Sequence, residues 1–172
     1  GFILCIPLKH FSQDVTLYQQ FNGRYDYVAI GNTLNFFPNG SFPTCDILTS
    51  SSANLSLNPN QNVVAAYLYW AGSGTGDLDI LVNDVPIASE RVFSNTSING
   101  RIYFAAFTDI TSLVQNQGSV NYTISEFDLT AVIPTYCSTG SNFGGWAIAV
   151  IYQDESLPLN QLNVYDGLQS VP

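Results

Sequence analysis

The chain has 172 residues, enough for one β-sandwich of ordinary size; 46% are hydrophobic and only 10% charged, against about 25% charge in a typical soluble domain. Its surface must therefore be wetted by Asn, Ser, Thr, Gln and Gly, a habit of extracellular β-proteins whose strands alternate such residues with β-branched and aromatic ones. The net charge of -9 includes only four scattered cations, Lys9, Arg24, Arg91 and Arg101, which argues against nucleic acid or anionic lipid as a partner, because both need basic side chains clustered on one face.

Gly1 to Pro7 reads Gly-Phe-Ile-Leu-Cys-Ile-Pro, an apolar run too short to span a bilayer. Residues 1–12 are expected to be the remnant of a secretory signal peptide, with cleavage near Ser12 and Gln13 and the domain occupying residues 13–172. A first strand of the mature domain is the competing reading. Lipid attachment at Cys5 fits poorly, because Phe-Ile-Leu rather than a small residue precedes it.

From Gln13 onward the sequence is polar and strand-forming. Arg24 to Ile30 alternates aromatic and small residues and ends at Gly31-Asn32. Thr49 to Asn62 is polar and reads as a long surface loop. Val63 to Trp70 is apolar on both faces, as a central strand requires, and the glycines of Gly72-Ser-Gly-Thr-Gly76 are expected to end it. Leu78 to Val82 and Val85 to Ala88 flank Asn83-Asp84, a two-residue connection suited to a tight hairpin.

Arg101 to Thr108 is a further strand. In Asp109 to Gln115 the apolar residues Ile110, Leu113 and Val114 are spaced i, i+3, i+4 behind an Asp able to cap the first turn; this is the one short helix expected, and Asn116-Gln117-Gly118 stops it. Val120 to Ile124 alternates, Gly145 to Tyr152 is the second strand apolar on both faces, and Gln161 to Tyr165 begins another before an Asp166-Gly167 turn. Short strands, glycine-rich turns and one helix define an all-β chain, a β-sandwich of jelly-roll type. The ending at Pro172 reads as a truncation at the C-terminus, inside the domain, which would leave a sheet edge unpaired.

Of the three cysteines, Cys45 and Cys137 remain once Cys5 leaves with the leader. A disulfide between them would close a loop of about 90 residues and contribute ~4 kcal/mol; two separately buried thiols are the alternative.

Long blocks of the chain resemble the amino-terminal region of large secreted proteins of Flavobacteria and relatives, which commonly end in a gliding-motility-associated sorting domain of the type IX secretion pathway. The likeness is carried by the segment from Asp14-Val-Thr-Leu-Tyr to Asn32-Thr-Leu34, by Ala66-Tyr-Leu-Tyr-Trp-Ala-Gly-Ser-Gly74 and by Tyr103-Phe-Ala-Ala-Phe-Thr-Asp-Ile-Thr111. It continues in Asn142-Phe-Gly-Gly-Trp-Ala-Ile-Ala-Val-Ile-Tyr152 and Leu157-Pro-Leu-Asn-Gln-Leu-Asn-Val-Tyr-Asp-Gly167. The resemblance implies an adhesin-like protein at the cell surface, with a β-sandwich at its amino-terminal end and further domains downstream. It supplies no catalytic residues.

His10 is the only histidine and lies in or beside the leader, so a Ser-His-Asp triad or a His-ligated metal is nearly excluded from residues 13–172. Carboxylate pairs at Asp77/Asp79, Glu126/Asp128 and Asp154/Glu155 could serve a glycosidase, yet each sits at a turn where acids are ordinary. Asp77 and Asp79 in a Gly-rich loop are the candidate calcium ligands, against a reading as solvated turn acids; no other cofactor is expected.

Tyr67, Tyr69, Trp70, Tyr103, Phe104, Phe107, Trp146 and Tyr152 could form a sugar-binding platform, but their place in doubly apolar strands favours core packing. Asn39, Asn54, Asn95 and Asn121 match the N-glycosylation pattern, which arises easily by chance in a chain rich in Asn, Ser and Thr. The expected function is non-catalytic adhesion or display outside the cell, toward a glycan or protein surface and without membrane insertion. A carbohydrate-binding module is the alternative, and a polysaccharide-active enzyme the third reading.

Overall fold

The computed structural model describes residues 13–38 and 45–169. The leader reading, Cys5, Lys9, His10 and the Asn39 sequon lie outside the described residues. Among the described residues, eleven strands and two short helices follow in order: β1 (Gln13–Gly23), β2 (Tyr25–Thr33), β3 (Ser51–Asn54), β4 (Asn62–Ser73), β5 (Asp79–Val82), β6 (Val85–Ala88), β7 (Arg91–Thr96), β8 (Ile102–Asp109), α1 (Thr111–Gln117), β9 (Asn121–Ser125), α2 (Pro134–Cys137), β10 (Gly144–Gln153) and β11 (Asn160–Leu168).

Their pairing is one long antiparallel hairpin rolled on itself. Its tip is the β5–β6 hairpin, where Asn83 and Asp84 take φ of +47° and +65°, as the type I′ turn demands of a two-residue connection. Outward from the tip, β4 pairs with β8, β3 with β9, β2 with β10 and β1 with β11, all antiparallel. Rolling brings β4 against β10 and β5 against β9, and so produces a five-stranded sheet, β2-β10-β4-β8-β7, facing a four-stranded one, β3-β9-β5-β6. This is the jelly-roll sandwich, with β7 added at one edge.

The sandwich core is drawn from alternate residues of the central strands. Ala66, Leu68 and Trp70 of β4 and Trp146, Ile148 and Val150 of β10 meet Ile80, Val82, Tyr122 and Ile124 of the opposite sheet. Each fully buried Leu, Ile or Phe side chain here contributes about 1.5–3 kcal/mol. The indole N–H of Trp70 donates to the Asp77 carbonyl at 2.8 Å, and that of Trp146 to Ser51 Oγ at 2.8 Å, so neither donor is stranded in the core. Helix α1 closes one end with Ile110 and Val114 in the core and Leu113 packed against it; the Asp109 carboxylate accepts the Thr111 N–H at 2.8 Å.

The other face of β4 explains why that strand reads as apolar on both sides. Ala65 and Tyr67, with Phe93, Phe107 and Ile151, form a second core under the β1–β11 ribbon, which brings Tyr18, Phe21, Leu162 and Val164. The ribbon is a third layer. Polar contacts fix it: Arg91 makes an ion pair with the buried Asp166, its guanidinium carbon lies 4.1 Å from the ring centres of both Tyr18 and Phe107, and the Tyr69 hydroxyl donates to Asp166 Oδ2 at 3.2 Å.

Three expectations are corrected. The stretch from Thr49 to Asn62 is not wholly a loop: it contains β3, where Ser52 Oγ lies 2.8 Å from Thr123 Oγ1 of β9, and polar residues suffice for a strand whose partner offers hydroxyls. Beside the one helix the sequence predicts there is a second, α2, too short at four residues to show a period; it starts on Pro134 and buries Tyr136 and Cys137. Asp166-Gly167 is not a turn but part of β11, and a Cβ at Gly167, whose φ is +150°, would stand 2.8 Å from the Asp14 carbonyl.

Candidate functional site

The crossings from β2 to β3 and from β9 to β10 run past each other at one end of the sandwich. Cys45 lies in the first and Cys137 in the second, and they form a disulfide with Cα atoms 5.3 Å apart across 92 positions of sequence. Closing so long a loop removes chain entropy equivalent to about 4 kcal/mol. Where β2 ends and β10 begins lies a cleft of about 610 Å³.

One wall is the end of β2 and the residues after it, Asn32 to Pro38; the other is Phe143 to Trp146 at the start of β10. The sheet can close so tightly here because Gly144 pairs with Gly72: a Cβ on Gly144 would meet Leu129 at 3.0 Å and Ile47 at 3.1 Å. Phe36, Phe37 and Phe143 keep 49%, 56% and 39% of their surface exposed, which is unusual for three rings so close together. Tyr103 of β8 backs Phe143 in a stacked pair, centroids 5.8 Å apart and planes 19° apart.

The polar groups of the cleft hold its shape. Asn35 Nδ2 donates to the Asn142 carbonyl at 3.0 Å while its Oδ1 accepts from the Gly144 N–H at 3.2 Å, and Thr33 Oγ1 donates to the Gly144 carbonyl at 3.2 Å. Asn32 Nδ2 donates across to the Ser52 carbonyl at 2.9 Å. The walls are thus tied to each other before any ligand arrives, as a preorganised site requires. Among the described residues the lining holds no titratable side chain, and its phenylalanines can grip a flat apolar surface.

The acids read as candidates from sequence lie elsewhere. Asp77 spends Oδ2 on the Asp128 backbone N–H at 2.8 Å, and its partner Asp79 starts β5, exposed and paired in register with Ala88. Asp128 accepts from the backbone and hydroxyl of Thr130, and Asp154 from those of Ser156; these hydrogen bonds hold both carboxyls below the usual carboxylate range. Among the described residues no group of three or more His, Cys, Asp or Glu gathers where an ion could sit.

Of the aromatics considered as a platform, Tyr67, Trp70, Phe104, Phe107 and Trp146 are buried in the two cores, and Tyr152 is buried outside them. Tyr69 and Tyr103 are half-buried. The exposed rings of the cleft, Phe36, Phe37 and Phe143, carry no periodic signal. Their mark in the sequence is an aromatic between turn residues, Asn35 and Pro38 on one side, Asn142 and Gly144-Gly145 on the other.

No family model, curated protein or solved structure matches the chain.

Proposed function

We propose that this chain is a non-catalytic binding domain for adhesion or display outside the cell, carried by a bacterial surface protein. The observation that carries the reading is the cleft of half-exposed phenylalanines on a disulfide-braced sandwich, with no titratable group among its described lining residues. A disulfide suits an oxidising compartment, and the resemblance to secreted flavobacterial proteins points the same way. Antibody labelling of intact producing cells tests it. Signal at the surface is the expected result; signal only after permeabilisation overturns the reading.

A second reading, a carbohydrate-binding module, is favoured by the stacked Tyr103–Phe143 pair at the cleft rim. Sugar rings present flat C–H faces that such rings pack against. A glycan array probed with the domain and with Phe143→Ala separates the two readings. Specific saccharide binding lost in the variant establishes the module, and absence of any signal leaves adhesion to a protein surface.

A further inference from the structure

All 13 acids of the chain lie within the described residues, against three described arginines. Arg24 stands 3.8 Å from Glu155 and Arg91 pairs with Asp166; these are the ion pairs among the described residues, and the half-buried Arg101 has none. Its Nη1 donates instead to two hydroxyls, Thr139 Oγ1 and, at 2.9 Å, Ser141 Oγ, while its guanidinium carbon lies 5.5 Å from the centre of the Tyr136 ring. Hydroxyls hold a guanidinium in place without cancelling its charge. The donors on Nε and Nη2 have no acceptor among the described residues.

This cation ends a row of rings. Tyr136 meets Tyr103 edge-on with centroids 5.7 Å apart, and Tyr103 stacks with Phe143 at 5.8 Å. The row is fixed from behind. The Tyr136 hydroxyl donates to the Ile102 carbonyl at 2.8 Å, the neighbouring Cys137 is bridged to Cys45, and Thr139 Oγ1 lies 2.8 Å from Ser141 Oγ. Ser73 of β4, wholly buried, pairs in register with Tyr103; its Oγ donates to the Ser141 carbonyl at 3.1 Å and accepts from the Phe143 N–H at 3.1 Å. Arginine and rings are thus tied together by β4, β8, α2 and the segment before β10, so little ordering is left for a ligand to impose.

Phe143 also borders a trough of about 240 Å³ whose lining takes in Tyr69 and the small residues Ala71, Gly145 and Ala147. Alanine and glycine are poor strand formers, and here they leave room beside an aromatic ring. The lining presents almost no polar surface. That suits the C–H face of a sugar ring, whereas a peptide laid there would have its backbone N–H and C=O groups unmatched.

Charge narrows the sugar. A neutral saccharide would use the rings and the trough and leave the guanidinium idle, whereas an oxyanion matches its planar fork with two parallel N–H···O bonds. A densely charged polyanion is repelled by the net charge of -9, so the match is to a single anionic group presented beside a sugar ring. We propose that Arg101 and the Tyr103–Phe143 stack form a site for an acidic saccharide, whose carboxylate or sulfate takes the Nε and Nη2 donors of Arg101 while a sugar ring lies against Phe143. This rests on the second reading above, the carbohydrate-binding module, and adds the class of sugar.

The test is an array of oligosaccharides in three matched forms, uronic acids, their carboxyl-reduced neutral counterparts and sulfated chains, probed with the full chain, Arg101→Gln and Phe143→Ala. Acidic forms should bind at least about tenfold more tightly than neutral ones, and the uronate and sulfate arms tell which oxyanion is taken. Arg101→Gln should bring acidic and neutral forms to the same affinity, and Phe143→Ala should weaken both. Should Arg101→Gln fail to fold, the wild-type comparison of acidic with neutral forms decides alone, together with a shift of the Arg101 Nε–H resonance, and not those of Arg24 and Arg91, as the acidic sugar is added. Neutral forms bound as tightly as acidic ones overturn the proposal and leave the module reading standing; binding of no sugar overturns both. An acidic preference unchanged in Arg101→Gln overturns the proposal, and so does a peptide carboxylate that binds as tightly as the sugar.

Discussion

On its inner face the five-stranded sheet presents Leu68, Trp70, Ile148 and Val150 to a second sheet that buries all of them. On its outer face it presents Tyr67, Tyr69 and Phe107 beside a shelf of alanine and glycine, to a ribbon of two strands that covers only part. Apolar packing dominates the first contact, with hydrogen bonds from Trp146 to Ser51 and from Asn32 to Ser52 along the β3 side. The second adds an ion pair, a cation over two rings and a tyrosine hydroxyl, all centred on Asp166. Apolar packing yields only as a whole, because removing one side chain opens a cavity shared by its neighbours. A polar latch with one centre can be released while the rest of the fold stays closed.

The strongest way to break this contrast is in the inner core. Trp70→Ala removes a side chain with 0% exposure and leaves the Asp77 carbonyl without its indole donor. A loss of about 3–5 kcal/mol is expected, comparable to the whole stability of many domains, and urea unfolding followed by fluorescence of the remaining Trp146 measures it. A loss under about 1 kcal/mol would mean that the inner face is not a close-packed core.

Next in size is the brace. Replacing Cys45 and Cys137 together by Ser should lower stability by about 2–4 kcal/mol, read as a lower denaturation midpoint. Because the bridge joins the two crossings that wall the phenylalanine cleft, amide exchange at Asn35 and Gly144 should quicken more than at the strand centres. A uniform change would dissociate the brace from the cleft.

A smaller effect sharpens the contrast from the other side. Asp166→Asn leaves the Arg91 guanidinium without its counter-charge; Arg91 keeps 35% of its side chain open to water, so solvent takes up part of the loss. The expected cost is about 1–2 kcal/mol. It should be local: native-state hydrogen exchange quickens along β1 and β11 and stays unchanged in β4 and β10. Equal quickening in both would show that ribbon and sandwich open as one unit.

Much of the inner face is legible in the sequence and much of the outer face is not, for a physical reason. Val63 to Trp70 and Gly145 to Tyr152 declare their position because a strand covered on both sides needs apolar residues at every step, and Asn83-Asp84 declares its hairpin because few residues tolerate two successive positive φ values. β3 hides in a polar stretch, since what it needs from Ser51 to Asn54 is backbone pairing and two hydroxyl contacts, Ser52 with Thr123 and Ser51 with Trp146. Asp166-Gly167 imitates a turn. The glycine is there for a close approach to Asp14, and the acid is there for Arg91, 75 residues away in sequence. The cleft is hidden for the same reason: Phe36, Phe37 and Phe143 are isolated rings at turns, and only the rolled hairpin brings them together.

Alkaline titration probes the same asymmetry without any substitution. Tyr67, on the ribbon face, is pushed up to about 12, first by burial and then by the nearby Tyr18 and Asp109; Tyr69 is raised as well, by burial and then by Asp166, which accepts its hydrogen bond. An unfolded tyrosine ionises near pH 10. The folded chain therefore holds more protons than the unfolded one between about pH 10 and 12, and stability falls as pH rises through that window and is unaffected below it. Ultraviolet absorbance should show tyrosinate from the buried rings appearing in one step, together with loss of near-ultraviolet circular dichroism. In Asp166→Asn the charge that raises Tyr69 is gone, so the step should begin at lower pH; a step at unchanged pH would mean that burial alone, and not the latch, keeps the outer-face tyrosines protonated.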